Sequence, residues 1–350
     1  MRFGRSWRDA LVFSIAVSGA LFSGCARRQQ GPVNDIVPQV SFNRMRTPLG
    51  SAIEVTYTWK VEPTAKKIAA DYRVLVHFLD SHRVMLFEDD HAPIPPTSSW
   101  EPGKTYSYTR TKFIPIYPYV GDVEVRIGLT PPSGRGERLA LKGDDAGLRE
   151  YRVAKMELLP QTENIFLVYK EGWHSPEASP QNPGLERTWT KKEGLVSFKN
   201  PKKDVIVYLE ADTNVKAFTE KPVVTVSVGG NKGVVVPIEN SELFLKKIRI
   251  SKDDLGTGEW VDLRLTMNQS FVPKALGINE DDRELGLLVY HLYVGEADKL
   301  GTVPEGTVVA AGPVTVPTPA PSKAPAKGAT PGKPTPGAKP SPSAAPAKRS

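Results

Sequence analysis

Alternation of apolar and polar residues recurs along this chain and constrains its fold more than any other feature. Residues 53–61 (IEVTYTWKV) place an apolar side chain at every second position, and residues 123–129 (VEVRIGL) repeat the pattern. Such alternation is typical of a β-strand that buries one of its two faces. No segment has a helical period longer than about three turns. The sequence therefore predicts an all-β chain.

Further apolar runs have the length of strands and are separated by turn-forming residues. They lie at residues 72–79, 84–87, 151–158, 205–211, 223–228, 234–236, 243–250 and 285–294. Residues 80–83 (DSHR) predict a hairpin turn, and residues 229–232 (GGNK) predict another turn. Many short strands between Gly, Pro and Asp clusters favour antiparallel β-sandwiches, Ig-like or jelly-roll-like. We expect two such domains, at residues 36–160 and 161–312.

The basic character of the chain is confined to its two ends. The formal charge is +7, of which residues 1–25 carry +2 and residues 313–350 carry +6, so residues 26–312 carry −1. A nucleic-acid-binding protein would concentrate basic charge on its folded part, so no nucleic-acid partner is expected. Residues 313–350 are rich in Pro, Ala and Lys and lack aromatic side chains. Such a composition predicts a disordered C-terminal tail.

The N-terminus has the pattern of an export signal. Arg2, Arg5 and Arg8 precede the apolar residues 10–22, and Cys25, the only cysteine, follows shortly after. A run of 13 residues is too short to span a hydrocarbon core, which takes about 20. A plain secretory signal is the remaining alternative.

The order of positive, apolar and small residues before a cysteine resembles a bacterial lipoprotein signal peptide, with residues 22–25 (FSGC) as its lipobox. The resemblance implies removal of residues 1–24, acylation of Cys25 and a lipidated tether at residues 25–35. Several acyl chains would hold the protein stably on a membrane. The absence of Asp after Cys25 favours the outer membrane, by analogy with sorting in enteric bacteria. With Cys25 acylated, the body of the chain has no thiol for catalysis or disulfides.

Two sets of short motifs resemble accessory modules of bacterial glycan synthesis. Residues 77–80 (HFLD), 90–93 (DHAP), 100–103 (WEPG), 126–129 (RIGL) and 136–139 (GERL) resemble a β-sandwich module appended to membrane glycosyltransferases. Residues 172–174 (GWH), 187–189 (RTW) and 282–286 (DRELG) are similar to a β-rich module found beside surface-glycan glycosyltransferases. Neither module carries the transferase chemistry. The resemblance implies a place near envelope polysaccharide and no catalytic residue.

The second half of the chain contains the candidate ligand-binding residues. Two tryptophans, a histidine and two charged side chains surround the Pro-rich residues 174–184 (HSPEASPQNPG), and an acid–arginine pair follows later. These residues are Trp173, His174, Glu177, Arg187, Trp189, Asp282 and Arg283. Aromatic faces suit sugar rings, and Arg and Glu can hydrogen-bond hydroxyl groups. The alternative is structural, with the tryptophans in the core and the arginines in internal ion pairs.

Metal and catalytic motifs give no comparable signal. His82 and His91, with Glu88, Asp89 and Asp90, lie in one segment but lack the spacing typical of zinc ligands. The sequence has no Gly-x-Ser-x-Gly elbow, phosphate-binding glycine loop or His-Glu-x-x-His helix. We therefore expect no metal, no cofactor and no catalytic residue.

Together these features favour a non-enzymatic, lipid-anchored protein of the bacterial envelope. Its expected partners are the membrane, through the lipid, and surface polysaccharide or the machinery that exports it. One alternative is a structural or assembly lipoprotein that binds envelope proteins through exposed sheet edges. Another is an envelope glycan hydrolase, which would need two facing carboxyl groups in a groove.

Overall fold

The computed structural model of this chain describes residues 33–180, 184–229 and 233–300, and the backbone of a strand at 308–310. The described part consists of β-strands and five single-turn 3₁₀ helices, at Thr97–Ser99, Gln161–Glu163, Val215–Ala217, Lys274–Leu276 and Ala297–Lys299. The prediction of an all-β chain is confirmed. Within the described ranges, no helix has the length and apolar character needed to cross a membrane. Cys25, residues 1–24, most of the tether and the tail at residues 313–350 lie outside the described residues.

The first sandwich is formed by nine strands. They are β1 (Ile36–Phe42), β2 (Arg46–Pro48), β3 (Ala52–Val61), β4 (Arg73–Leu79), β5 (Met85–Glu88), β6 (Thr105–Phe113), β7 (Gly121–Thr130), β8 (Asp144–Asp145) and β9 (Tyr151–Leu159). One sheet has the order β1-β3-β6, and the other has the order β2-β9-β7-β4-β5, with β8 paired to β9. The pairs are antiparallel except β2 with β9, which is parallel. One parallel pair thus departs from the purely antiparallel expectation.

Strand β3 shows why the alternating pattern predicts this sandwich. Its alternate side chains Val55, Tyr57 and Trp59 are fully buried, while the polar residues between them face outward. They pack with Phe78 and Trp100 in one hydrophobic core. Because side chains alternate across a strand, a shift of one residue would turn this entire apolar face to solvent. Burial of the apolar face therefore fixes the register of β3.

The second sandwich is formed by the remaining strands. They are β10 (Leu167–Tyr169), β11 (Glu177–Ala178), β12 (Glu186–Trp189), β13 (Glu193–Lys199), β14 (Val205–Asp212), β15 (Val223–Val228), β16 (Val234–Pro237), β17 (Phe244–Ile250), β18 (Trp260–Met267), β19 (Leu288–Glu296) and β20 (Val308–Ala310). One sheet has the order β10-β13-β18-β15-β16, and the other has the order β11-β12-β19-β14-β17-β20. A second hydrophobic core lies between these two sheets.

Strand β14 is buried on both faces because the two sandwiches pack against each other. Val205, Val207 and Leu209 lie in the second core. Ile206 and Tyr208 belong instead to a third apolar cluster. The other members of that cluster are Ala52, Phe113, Leu245, Tyr293, Ala297 and Leu300. The continuous apolar run in β14 thus reflects two separate contacts.

A buried carboxylate lies at the same contact. Glu54 of β3 is 2.8 Å from Lys247 Nζ. It also accepts hydrogen bonds from the hydroxyls of Tyr208, at 3.2 Å, and Thr111, at 3.1 Å. Both charged side chains are largely shielded, with exposed fractions of 12% for Glu54 and 7% for Lys247. The ion pair therefore joins the outer faces of the two sandwiches. The expected domain boundary near residue 160 stays a prediction.

Candidate functional site

A depression of about 260 Å³ lies at one end of the second sandwich. Strands β11 and β12 and the loop between β18 and β19 form its walls. It is lined by Glu177, Arg187, Trp189, Phe271, Asp281 and Arg283, among others. We call it the Trp189 cleft. Four of the seven residues predicted to bind a ligand line this cleft, because strand pairing brings them together from separate segments.

The pairing of β11 with β12 places the first charged pair. Glu177 lies directly opposite Arg187 in this antiparallel ladder, and Arg187 Nη2 is 3.8 Å from Glu177 Oε2. Arg187 Nη1 donates a hydrogen bond to the hydroxyl of Tyr290, at 3.3 Å. That hydroxyl donates in turn to Asp212 Oδ2, at 3.0 Å. The guanidinium of Arg187 is thus held by partners on two strands, one of which is itself held by Asp212 of β14.

Arg283 forms the second charged pair of the cleft. Its guanidinium contacts both carboxylate oxygens of Asp281, with Nη2 at 2.7 Å from Oδ2 and Nε at 3.0 Å from Oδ1. Arg283 Nη2 also lies 3.5 Å from Glu177 Oε1. The hydrogen bonds from Arg283 lower the pKa of Asp281 to about 2. Glu177 therefore links two arginines, and Asp281 is ionised at neutral pH.

The aromatic wall of the cleft is formed by two rings at right angles. Trp189 is half-buried, and its ring meets Phe271 edge-on, with centroids 6.0 Å apart and an interplanar angle of 84°. Phe271 is held by an isolated bridge to Leu285. An apolar surface thus lies beside a row of charged groups. This combination suits a ligand that has apolar faces and hydroxyl edges.

The other three predicted residues do not line the cleft. Trp173 packs against the second core, and its Nε1 donates to the backbone oxygen of Leu195, at 2.9 Å. His174 Nε2 lies 2.7 Å from the backbone oxygen of Glu284. Asp282 is exposed. For Trp173 and His174, the structure thus shows the structural role that was the alternative to ligand binding.

The predicted acid–arginine pair is shifted by one residue. Arg283 pairs with Asp281 rather than with Asp282, because residues 281–283 form a turn in which Asp281 Oδ1 also accepts the backbone N–H of Arg283, at 3.0 Å. Sequence reasoning missed Asp281, Phe271 and Tyr290 as members or neighbours of the cleft. The acidic run at residues 279–282 (NEDD) was the available signal for Asp281. No pattern in the sequence indicates that Phe271 contacts Trp189.

A second depression, of about 320 Å³, is lined by residues of both sandwiches. Its wall includes Arg46 and Lys299, and each has an acidic partner. Arg46 Nε is 2.7 Å from Glu157, and Lys299 Nζ is 2.9 Å from Glu296. Tyr293 is the aromatic residue of its wall. It lacks the paired aromatic wall of the Trp189 cleft.

Comparisons with known proteins supply no family for this chain. Neither a known protein family nor a curated protein matches its sequence. Among solved structures, a GH115 4-O-methyl-alpha-glucuronidase with specificity for decorated arabinogalactans is 14% identical, over 42% of this chain and 19% of that one, with a TM-score of 0.28. The mosquito-larvicidal Cry4Aa toxin from Bacillus thuringiensis is 8% identical, over 76% of this chain and 52% of the toxin, with a TM-score of 0.24.

A tandem of two carbohydrate-binding modules, CBM22-1 and CBM22-2, from Paenibacillus barcinonensis Xyn10C is 7% identical. The match covers 75% of this chain and 94% of the tandem, with a TM-score of 0.23. The structural neighbours thus include carbohydrate-binding and glycoside-hydrolase-associated β-sandwich modules. None of these TM-scores is high enough to transfer a function to this chain.

Proposed function

We propose that this chain is a non-enzymatic, lipid-anchored protein of the bacterial envelope that binds polysaccharide in the Trp189 cleft. The observation that carries the proposal is the cleft itself, where Trp189 and Phe271 lie beside Glu177, Arg187 and Arg283. A sugar ring has an apolar face that can pack on Trp189 and hydroxyls that can bond the charged side chains. The lipobox pattern ending at Cys25 supports the anchored location.

Two shielded polar atoms in the cleft support a hydroxyl-bearing ligand. Glu177 Oε1 and Arg187 Nε are shielded from solvent and form no hydrogen bond, although Glu177 Oε1 lies 3.5 Å from Arg283 Nη2. A buried polar group without a partner costs about 1–3 kcal/mol. A hydroxyl group can donate to Oε1 and can accept from Nε–H, so small side-chain rotations toward a bound sugar would satisfy both. A purely apolar ligand would leave that cost in place.

The lowered pKa of Asp281 argues against this residue as the general acid of a glycosidase. The general acid of a glycosidase needs a raised pKa, so that it holds a proton at the working pH. Arg283 instead lowers the pKa of Asp281 to about 2. Asp281 therefore has the properties of a charged hydrogen-bond acceptor. The proposal assigns it that role and assigns no catalytic residue.

A binding assay on the full chain tests the proposal. Surface polysaccharide from the source bacterium, together with an array of defined glycans, should bind the wild-type chain. Trp189→Ala should raise the dissociation constant at least tenfold, equivalent to about 1.4 kcal/mol of binding free energy. The matched control is Trp260→Ala, because Trp260 lies on β18, is 54% exposed and does not line the cleft. Binding that is absent, or that both variants weaken equally, would reject the cleft as the site.

Exposed apolar strand edges support a second candidate function. Strands β10 and β16 are the outermost strands of the five-stranded sheet. Val168 and Tyr169 on β10 are 37% and 50% exposed, and Val235 on β16 is 58% exposed. Unpaired apolar edges can accept a strand from another protein. A photo-crosslinking residue at position 168 or 235 should then capture an envelope protein in cells, whereas capture at position 260 alone would contradict this function.

A further inference from the structure

Three potential metal ligands come together on the outer face of the first sandwich. His77 on β4 lies directly opposite Glu88 on β5 in their antiparallel ladder. The chain then stays beside β4, because the backbone N–H of Val76 donates to Asp90 Oδ1, at 2.8 Å. One nitrogen or oxygen atom from each of His77, Glu88 and Asp90 lies within 4.8 Å of the others.

The spacing of these atoms is close to that of a metal site. In the tetrahedral arrangement that zinc prefers, ligand atoms about 2.0–2.2 Å from the ion are about 3.4 Å apart. The three atoms therefore need to move inward by about an ångström to share one ion. Among the three side chains, only that of Asp90 is held by a hydrogen bond from the backbone. Rotations of His77 and Glu88 can therefore supply the movement.

A fourth side chain orients the imidazole of His77. Glu150 Oε1 lies 3.2 Å from His77 Nδ1, and the same oxygen accepts a hydrogen bond from Arg138, at 2.6 Å. If Nδ1–H donates to Glu150, the lone pair of a neutral imidazole is on Nε2, where it can bind a metal. A carboxylate behind the second ring nitrogen is the usual arrangement of metal-binding histidines. Glu150 is outside the three-ligand cluster and is an independent feature.

Two of the three neighbouring cations are engaged by other groups. Arg138 is engaged by Glu150, and Lys112 Nζ donates to the backbone oxygen of Glu88 rather than to its carboxylate. Burial raises the pKa of the Asp90 carboxyl group above its usual range, and the positive charge of Arg73 acts against this rise. Arg73 is therefore the cation that an ion would have to displace or share with.

We propose that His77, Glu88 and Asp90 bind one divalent transition-metal ion, with Zn²⁺ the best match, and that Glu150 positions His77. An imidazole with two carboxylates suits zinc, whereas calcium takes six to eight oxygen ligands. The bound ion ties β5, the outermost strand of its sheet, to β4 and to the segment that follows. Sequence spacing could not indicate this site, because the pairing of β4 with β5 brings residue 77 opposite residue 88.

Titration of the metal-free full chain with Zn²⁺, followed by calorimetry, tests the proposal. The wild-type chain should bind one ion, and His77→Gln and Glu88→Gln should each abolish that binding. Glu150→Gln should weaken it 10- to 100-fold, as expected for a carboxylate that orients a ligand. The matched control is His82→Gln, in the same hairpin, because the side chain of His82 is 83% exposed and is not part of the cluster.

Two further measurements make the outcome decisive. Circular dichroism of each variant checks that the fold is intact, and Glu88→Gln is nearly isosteric. Co²⁺ in place of Zn²⁺ should give a visible absorption spectrum that His77→Gln changes. Absence of saturable Zn²⁺ binding, equal loss in His82→Gln, or wild-type affinity in a folded Glu88→Gln variant would overturn the proposal. Tighter binding of Ca²⁺ that survives His77→Gln would overturn the assignment to a transition metal.

Discussion

Mild acid should destabilise the first sandwich through one buried histidine. His91 is 4% exposed. Its Nδ1 lies 2.6 Å from the backbone oxygen of Asp89, which can only accept, so Nδ1 carries the ring proton. Nε2 then accepts from the hydroxyl of Tyr108, at 2.8 Å. Burial, followed by the positive charge of Arg110, lowers the pKa of His91 from 6.5 to about 4.

The sign and size of the effect follow from proton linkage. Between pH 6.5 and pH 4 the unfolded chain binds more protons at His91 than the folded chain does, so stability falls as the pH falls through this window. The full difference in pKa corresponds to about 3 kcal/mol, of which about 2 kcal/mol is lost between pH 7 and pH 4.5. His77 and Asp90 have raised pKa values in the folded chain and act in the opposite direction.

The contribution of His91 is isolated by comparison with His91→Gln. Urea denaturation followed by tryptophan fluorescence is suitable, because Trp59 and Trp100 lie in the core of this sandwich. The variant loses the hydrogen bonds of His91 at both pH values, and because glutamine does not titrate, only the wild type loses stability through this group in acid. The advantage of wild type over variant should therefore shrink by about 2 kcal/mol from pH 7 to pH 4.5. An unchanged advantage would refute the reasoning.

Three other substitutions test separate features of the chain. Glu54→Ala should lower the free energy of unfolding by about 3–5 kcal/mol, since it leaves the buried Lys247 unpaired, whereas Glu54→Leu combined with Lys247→Met should approach wild-type stability in the same urea assay. Gly172→Ala should cost about 3 kcal/mol or more, because Gly172 has φ +83° and an added Cβ would overlap the backbone oxygen of Glu193. Cys25→Ala should abolish labelling by a fatty-acid analogue in cells, and equal labelling of both proteins would contradict the lipid anchor.

Strands with one buried face could be located from the sequence. The observed β3, β7 and β15 agree with the predicted segments within about two residues at either end. Apolar and polar residues alternate wherever one face of a strand is buried and the other meets solvent, so the sequence shows which face is buried. Thr105–Phe113 escaped this reasoning, because its half-buried apolar side chains are tyrosines between Thr, Ser and Arg. The two faces of a strand of that composition differ little in polarity.

The candidate sites could be found from the sequence only in part. The segment around Arg187 and Trp189 stood out, because aromatic and charged residues cluster there along the chain. Phe271 reaches the Trp189 cleft through the loop before β19, and no local pattern indicates such a contact. His77 and Glu88 likewise meet only because their strands pair in one particular register. Sites assembled across strands depend on register, which apolar alternation fixes only to within two residues.

The buried carboxylate at the contact between the sandwiches is fully hydrogen-bonded, whereas the charged groups at the Trp189 cleft are only partly hydrogen-bonded. At the contact between the sandwiches Glu54 is surrounded by Lys247 and two hydroxyl donors, so its burial is compensated. At the Trp189 cleft, Glu177 Oε1 and Arg187 Nε remain without hydrogen bonds although both atoms are shielded. Thr47 Oγ1 and Trp59 Nε1 in the first sandwich also lack a hydrogen bond, so this state alone does not mark a site; the two cleft atoms differ in lining a surface depression that a ligand can enter. A hydroxyl group bound there can pair with both atoms, and the Trp189→Ala binding assay measures whether such a ligand exists.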